Sequence, residues 1–318
     1  MVKTPNILGL TKLRDIPIQQ IIPYIHWSYL FMAWRVPGKY TGIEKAVLSQ
    51  KEAENWLDNI PQTNREKSQE ALKLYKDSLD ILQKFQENNV LQIHANIGLY
   101  PAFSKENDIF IKHENDVIVI PTLRQQKPTA EGYCFALSDY ILPEEKLGAK
   151  YSKDYIGVFA NTVLGVEAYA ETYEKEGDIY KALLAKILAE RLAEGTAEWL
   201  HYQIRKQYWG FAPDEEEHID EMFKVHYQGI RPAVGYPSLP DQSVIFELDP
   251  LIQFNEMGIQ LTEHGAMSPN ASVCGLVLAH PQSNYFVIGK IDEQQLADYA
   301  RRRNKTVEEM SKWLSSNL

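Results

Sequence analysis

Cysteine is nearly missing from this chain: 318 residues hold two, Cys134 and Cys274, far apart. That excludes a disulfide-stapled secreted scaffold and a zinc site built of clustered thiolates. Each cysteine sits in an apolar, strand-like run, YCFAL or SVCGLVL, which reads as a buried free thiol in a reducing compartment; a lone disulfide has no support. Long apolar runs are missing too. Nothing approaches the roughly 20 residues that span a bilayer, and the opening MVKTPNILGLTKLRD holds no stretch of signal-peptide length. A cytoplasmic location is expected. Basic charge is scarce and scattered, with 33 Lys and Arg against 43 Asp and Glu and a net charge of −10. Nucleic acid or an anionic membrane wants a concentrated basic surface, so neither is expected as a partner. Also absent are a GxSxG elbow, a phosphate loop, a GxGxxG turn after a strand and cysteine pairs at zinc spacing. Hydrophobic content of 44% and 18 tyrosines nevertheless supply a sizeable core. The chain exceeds one average domain in length, so one large domain or two intimate ones would both fit.

Along the chain, residues 13–36 mix short helical pattern with aromatics and end at Pro37-Gly38. Residues 43–60 and 64–88 read as helices; in the second, Ala71, Leu72, Tyr75, Leu79, Leu82 and Phe85 recur at three- and four-residue steps. LQIHANIGLYPAF, DIFIKH, DVIVIPTL, GYCFALSDYIL and YIGVFANTVL are short runs rich in β-branched and aromatic residues, separated by turn formers. Residues 177–208 form a long helical segment without proline and with Gly195 midway. After it come the apolar VIFELDPLIQF, a strand pair (SVCGLVLAH and NYFVIGKI) joined at HPQSN, and two closing helices. The last helix starts at Thr306 with Glu309 three residues on, a capping box. Strands clustered between helical blocks indicate α+β with an antiparallel sheet.

Two features carry chemistry. GIRPAVGYPSLPD, residues 229–241, packs three prolines and two glycines around one cation, Arg231, and one aromatic ring, Tyr236. Each proline fixes φ and biases the residue before it toward extended geometry, so the stretch is a stiff, extended loop that loses little entropy on binding. On the long helix, Glu190, Glu194, Glu198 and His201 share one face. A solvated acidic stripe offset by Lys186, Arg191 and Arg205 accounts for them; presentation to a cation is the functional alternative. Glu198/His201 and Glu215/His218 are Glu-x-x-His pairs, but carboxylate-bridged iron sites need inward carboxylates from further helices, and Glu215 lies in what reads as a solvated helix start.

GIRPAVGYP, then LTEHGAMSPNASVCGLVLAHPQSNYFVIGKI and DEQQLADYARRRNKTVEEMSKWLSSNL, resembles the C-terminal activation domain of cobalamin-dependent methionine synthase. Upstream, YIHWSYLFMAWRVPGKY, IGLYPA, LRQQ, DYIGVFA, LAERLAEGTAEWLHYQIRKQYWGFAP and YQGIRPAVGYP follow in the family's order, so the resemblance runs from about residue 12 to 317. It implies one C-shaped α+β domain over 1–318, with a bent antiparallel sheet flanked by helices and an N-terminal extension of about 1–11. It implies binding of S-adenosylmethionine, which remethylates oxidised cobalamin after an electron arrives from a flavodoxin-type donor. The homocysteine, folate and cobalamin modules are not in these residues. The expectation is therefore a reactivation module acting in trans on cobalamin modules of another chain, with no turnover of its own. A binding module of the same fold that has lost tight S-adenosylmethionine binding is the alternative.

The resemblance also implies site residues. Arg231 matches the ligand carboxylate, with Ala233 and Gly235 offering backbone to purine or ribose and Tyr236 packing on ligand or corrin. Tyr285, followed by Phe286, matches a tyrosine of the ligand site. Glu190 and Glu194 match carboxylates near the cationic ligand, and the MSPNAS loop, with Met267, Pro269, Ala271 and Ser272, matches the segment that reaches the corrin. Two departures stand out. His26 replaces the aspartate that pairs with the ligand's ammonium, and an imidazole cannot supply the same charge-assisted bond. Ser268 and Asn270 stand where the family usually has tryptophan and glycine.

Overall fold

The computed structural model describes residues 3–130, 132–148 and 153–318. They group into two compact units: Asp15–Ile93 with Val163–Thr196, and Met1–Arg14 with His94–Thr162 and Ala197–Leu318.

The first unit is helical. It holds α1 (Ile18–Ile21), α2 (Trp27–Ala33), α3 (Ile43–Ala46), α4 (Gln50–Asp58), α5 (Gln62–Glu87), α6 (Val166–Lys175) and the start of α7 (Ile179–Gln203). The helix expected over 43–60 is two helices, because Ser49 caps α4 by accepting from Glu52 N at 3.2 Å. In α5 the buried face is Ser68, Ala71, Leu72, Leu74, Tyr75, Ser78, Ile81, Leu82 and Phe85. Leu79, expected on that face, is only half-buried. Aromatic pairs lock the unit: Trp27 meets Tyr75 edge-on at 4.6 Å and Phe85 meets Tyr169 at 5.2 Å.

The second unit is built on a six-stranded open sheet. Its strands are β1 (Gly9–Leu13), β2 (Gln92–Lys105), β3 (Asp108–His113), β4 (Asp116–Pro121), β5 (Asp154–Leu164) and β8 (Ser272–Val277); β6 (Gln260–Leu261) and β7 (Met267–Ser268) form a separate short pair. The main order is β4-β3-β2-β5-β8, with β1 also on β2. Antiparallel register sets Phe110 opposite Val119 and Ala160 opposite Cys274. Every residue of β8 is buried, as befits a strand covered on both faces. Around the sheet pack α8 (Ile219–Met222), α9 (Ile245–Ile252), α10 (Glu293–Arg302) and α11 (Val307–Trp313). The core joins Ile111, Ile156, Val158 and Leu276 to Leu248, Leu251 and Tyr299. The capping box of α11 is formed as expected, with Glu309 N donating to Thr306 Oγ1 at 3.1 Å and Thr306 N to Glu309 Oε2 at 2.9 Å.

Two apolar runs depart from expectation, and a third, VIFELDPLIQF, takes a form the sequence left open. GYCFALSDYIL is irregular, with a 3-10 turn at Leu137–Tyr140, and it leaves Cys134 half-buried rather than buried. VIFELDPLIQF is largely helix α9, and its helix ends at Gln253 in the left-handed region (φ 56°). NYFVIGKI keeps strand-like alternation, with Phe286 and Ile288 inward and Tyr285 and Val287 outward, yet forms no strand. Its expected partner, β8, has β5 on one edge and the loop after Gly229 on the other. Both thiols are free, and burial pushes that of Cys274 well above its usual range.

Candidate functional site

The Pro/Gly loop is fastened to β8 like an extra edge strand. Ile230 and Leu278 exchange two backbone hydrogen bonds at 2.9 Å, Leu276 N donates to Pro232 O at 3.0 Å, and Val234 N to Cys274 O at 3.0 Å. The prolines do not interrupt this ladder because their missing N–H groups fall where no donor is needed. Gly275 permits the approach: a Cβ there would lie 2.3 Å from Pro232 O and 2.8 Å from Ala233 Cα. Gly235 turns the chain at φ +83°, and its N–H donates to Leu239 O at 2.9 Å. Beyond the turn, Asp241 anchors the loop's end. Its buried carboxylate accepts from Ser243 N at 2.9 Å and Tyr299 OH at 2.9 Å, and pairs with buried Arg303 at 3.2 Å.

A rigid frame thus holds Arg231, Ala233, Gly235 and Tyr236. The Arg231 backbone N–H donates to Tyr285 OH at 2.9 Å, which ties the exposed Tyr285 to the loop. The Arg231 side chain is only 12% exposed and ion-pairs through its NH2 with Glu198 Oε1, itself 21% exposed. One turn along the same helix lies His201, fully buried, its ring edge-on to Tyr227 with centroids 5.0 Å apart. Burial first, then the Arg205 and Arg231 charges, hold its imidazole well below the usual histidine range. Arg205, fully buried in a wider π-type turn at Ile204–Tyr208, lies over the Tyr227 ring at 4.3 Å and donates from Nε to Glu215 Oε2 at 2.7 Å. Tyr227 hydrogen-bonds Tyr285, and burial raises its phenol well above the usual range. Chemically this is a stiff backbone ledge with a planar, nearly dry guanidinium, a donor set that suits a carboxylate.

The sequence model for the activation domain of vitamin B12-dependent methionine synthase matches residues 17–304. The chain belongs to that family. It is also similar to a crystal structure of the MetH reactivation domain bound to AdoHcy, with 34% identity and a TM-score of 0.87 over 100% of this chain and 93% of that one.

In this activation domain the residues singled out from sequence fall into both units. Ten lie in the sheet unit: Arg231, Ala233, Gly235, Tyr236, Tyr285, Phe286, Met267, Pro269, Ala271 and Ser272. Tyr236 and Tyr285 are 51% and 41% exposed, whereas Phe286 faces inward against Phe135 at 5.9 Å. Met267 sits on β7; Pro269 follows a cis peptide bond, and its carbonyl accepts from Ser272 Oγ at 2.7 Å. Ala271 is buried, and Ser272 Oγ also reaches Thr162 Oγ1 at 2.8 Å. His26, Glu190 and Glu194 lie in the helical unit. His26 precedes α2, with Nδ1 2.5 Å from Ser28 Oγ and its ring 4.7 Å from that of Tyr29; Glu190 and Glu194 are half-buried on α7.

The carboxylates of both Glu-x-x-His pairs are engaged by arginines. Glu198 takes Arg231, and Glu215, expected to be solvated, takes Arg205, while His218 reaches Glu216 at 2.9 Å. Among the described residues no group of three His, Cys, Asp or Glu could hold a metal ion, and no helix is long and apolar enough to cross a membrane. Glu198 as the partner of Arg231, Tyr227, Gly275 and Asp241 were not legible as site residues; only Asp241, closing the loop after a proline, left a local signal.

Proposed function

We propose that this activation domain binds S-adenosylmethionine and supports its use in remethylating the oxidised cobalamin of a methionine synthase whose cobalamin modules lie on another chain, with a flavodoxin-type protein as electron donor. The observation that carries the reading is the Arg231–Tyr236 ledge, locked to β8 and to Asp241 before any ligand arrives. Preorganised backbone of this kind loses little entropy on binding. Arg231 takes the ligand carboxylate, while backbone at Ala233 and Gly235 and the ring of Tyr285 serve the nucleoside, with Phe286 fixing the Tyr285 segment from below. Tyr236 and the loop from Met267 through Pro269, Ala271 and Ser272 face the corrin. The family resemblance assigns Glu190 and Glu194 to the sulfonium and position 26, here His26, to the ammonium. AdoHcy, the ligand of the similar structure, is what S-adenosylmethionine becomes once its methyl group has left.

Calorimetric titration with S-adenosylmethionine and with AdoHcy tests the reading, and saturable binding of both is expected. His26 in place of the family aspartate supports the second reading, a module that has lost tight binding; absence of heat with either ligand would favour it. Adding the chain to a methionine synthase that lacks this domain and has been inactivated by oxidation should restore methionine synthesis. The chain alone should make no methionine, because homocysteine-activating zinc sites need clustered thiolates and these residues hold two isolated cysteines.

A further inference from the structure

Behind the Arg231 ion pair lies a group of buried polar atoms that the proposed ligand contacts do not use. Glu198 gives Oε1 to Arg231, while its Oε2 is buried and accepts no hydrogen bond. His201, three residues on, has both ring nitrogens buried and unbonded, and Arg205 NH1 is in the same condition. Buried polar atoms are almost always paired, so several unpaired ones together mark a place where partners change. The charges around His201 are Glu198 and Arg205 from its own helix, with Glu215 on Arg205, and Arg231 from the loop. Tyr227 lies against its ring and Tyr285 is bonded to Tyr227. Among these groups, Arg231 with Glu198 and Arg205 with Glu215 cancel pairwise, and the imidazole between them is neutral.

A carboxylate arriving at Arg231 upsets this balance. It brings a second anion to a guanidinium already matched by Glu198, in surroundings too dry to screen the repulsion. Glu198 then has one close exchange available, the imidazole one turn away on its own helix. With the ligand carboxylate on Arg231, the charge of Glu198 is no longer spent on that guanidinium and is set against the cations that oppose charge on His201.

We propose that Glu198 and His201 are a proton-accepting pair beneath the carboxylate site: a ligand carboxylate takes over Arg231, Glu198 turns to His201, and the imidazole takes up one proton from solvent. The balance is simple. The site gains one anion with the ligand carboxylate and one cation with the proton, and no covalent bond forms or breaks. Glu198 and His201 are positioning residues, since neither touches the ligand in this scheme. The inference rests on the proposed binding of S-adenosylmethionine-type ligands at Arg231.

The test is AdoHcy titration at pH 6 in phosphate and in imidazole buffers, whose ionisation heats differ. Wild type should show buffer-dependent heat equal to uptake of about one proton per ligand bound. Glu198→Gln and His201→Gln should each bind AdoHcy with uptake near zero, and adenosine, which has no carboxylate, should bind wild type with none. Should His201→Gln fail to fold, the ring nitrogen shifts of His201 in labelled wild type decide, moving to imidazolium values when AdoHcy is added. Buffer-independent heat with wild type, or unchanged ring shifts in the bound state, overturns the proton-accepting pair while leaving the binding reading intact. Failure of AdoHcy to bind at all overturns both.

Discussion

Replacing Gly275 by alanine adds one methyl group to a buried strand, and its consequences follow from three distances. The new Cβ would stand 2.3 Å from Pro232 O, 2.8 Å from Ala233 Cα and 3.0 Å from Phe159 Cε1. The first two are backbone atoms, so no rotamer change relieves them, and the loop must retreat from β8 by roughly 1 Å to restore ordinary contact. That retreat stretches the bonds that flank the site, Leu276 N to Pro232 O and Val234 N to Cys274 O, each 3.0 Å, beyond useful length. Overpacking costs about 1–3 kcal/mol and each weakened hydrogen bond about 1 kcal/mol, so the loss is about 3–5 kcal/mol. For a unit of this size that lowers Tm by on the order of 10 °C. The ledge that carries Arg231 moves with the loop, so AdoHcy binding should weaken at least about tenfold, equivalent to about 1.4 kcal/mol. Thermal unfolding followed by circular dichroism and calorimetric titration read the two effects. A Gly275→Ala protein with the wild-type Tm and affinity would refute the claim that close seating on β8 makes the site.

Arg231→Ala should weaken AdoHcy binding more than Arg231→Lys, because lysine keeps the charge and loses only the fork. Arg231→Ala also strands Glu198, a stability loss of about 1–3 kcal/mol that should shrink when combined with Glu198→Gln, as a double-mutant cycle in urea would measure. His26→Asp should tighten S-adenosylmethionine binding about ten- to a hundredfold by adding a charge-assisted bond to the ammonium, and should stabilise α2 by about 1 kcal/mol as an N-cap. Equal affinities for wild type and His26→Asp would remove residue 26 from the ammonium site. Acid should destabilise the fold through His201: its folded-state pKa is depressed, so below about 6.5 the unfolded chain binds a proton that the folded protein refuses. Stability then falls by up to about 1.4 kcal/mol per pH unit as pH drops. Urea unfolding at pH 7, 6 and 5 should show that slope in wild type and a shallower one in His201→Gln; parallel slopes would count against a buried neutral imidazole.

Local signals carried much of the fold. The one-sided stripe of α5, the Thr306–Glu309 box, the strands of β2 through β5 and the extended form of residues 229–241 all rest on periodicity, capping chemistry or proline geometry. These act within a few residues, so sequence alone determined them. Sequence likewise marked Arg231, Tyr236 and Tyr285 as residues worth finding at a site. What tertiary structure decided was competition for partners. NYFVIGKI has the pattern of a strand but no edge to join, since the Pro/Gly loop already holds that side of β8. Glu198 looked like one more carboxylate on an acidic face until folding brought Arg231 against it from 33 residues away. Gly275 is unremarkable within SVCGLV, and only the neighbouring loop's backbone makes its missing Cβ matter. Pairing, edge occupancy and close approach are relations between distant segments, and the chain has to fold before they exist.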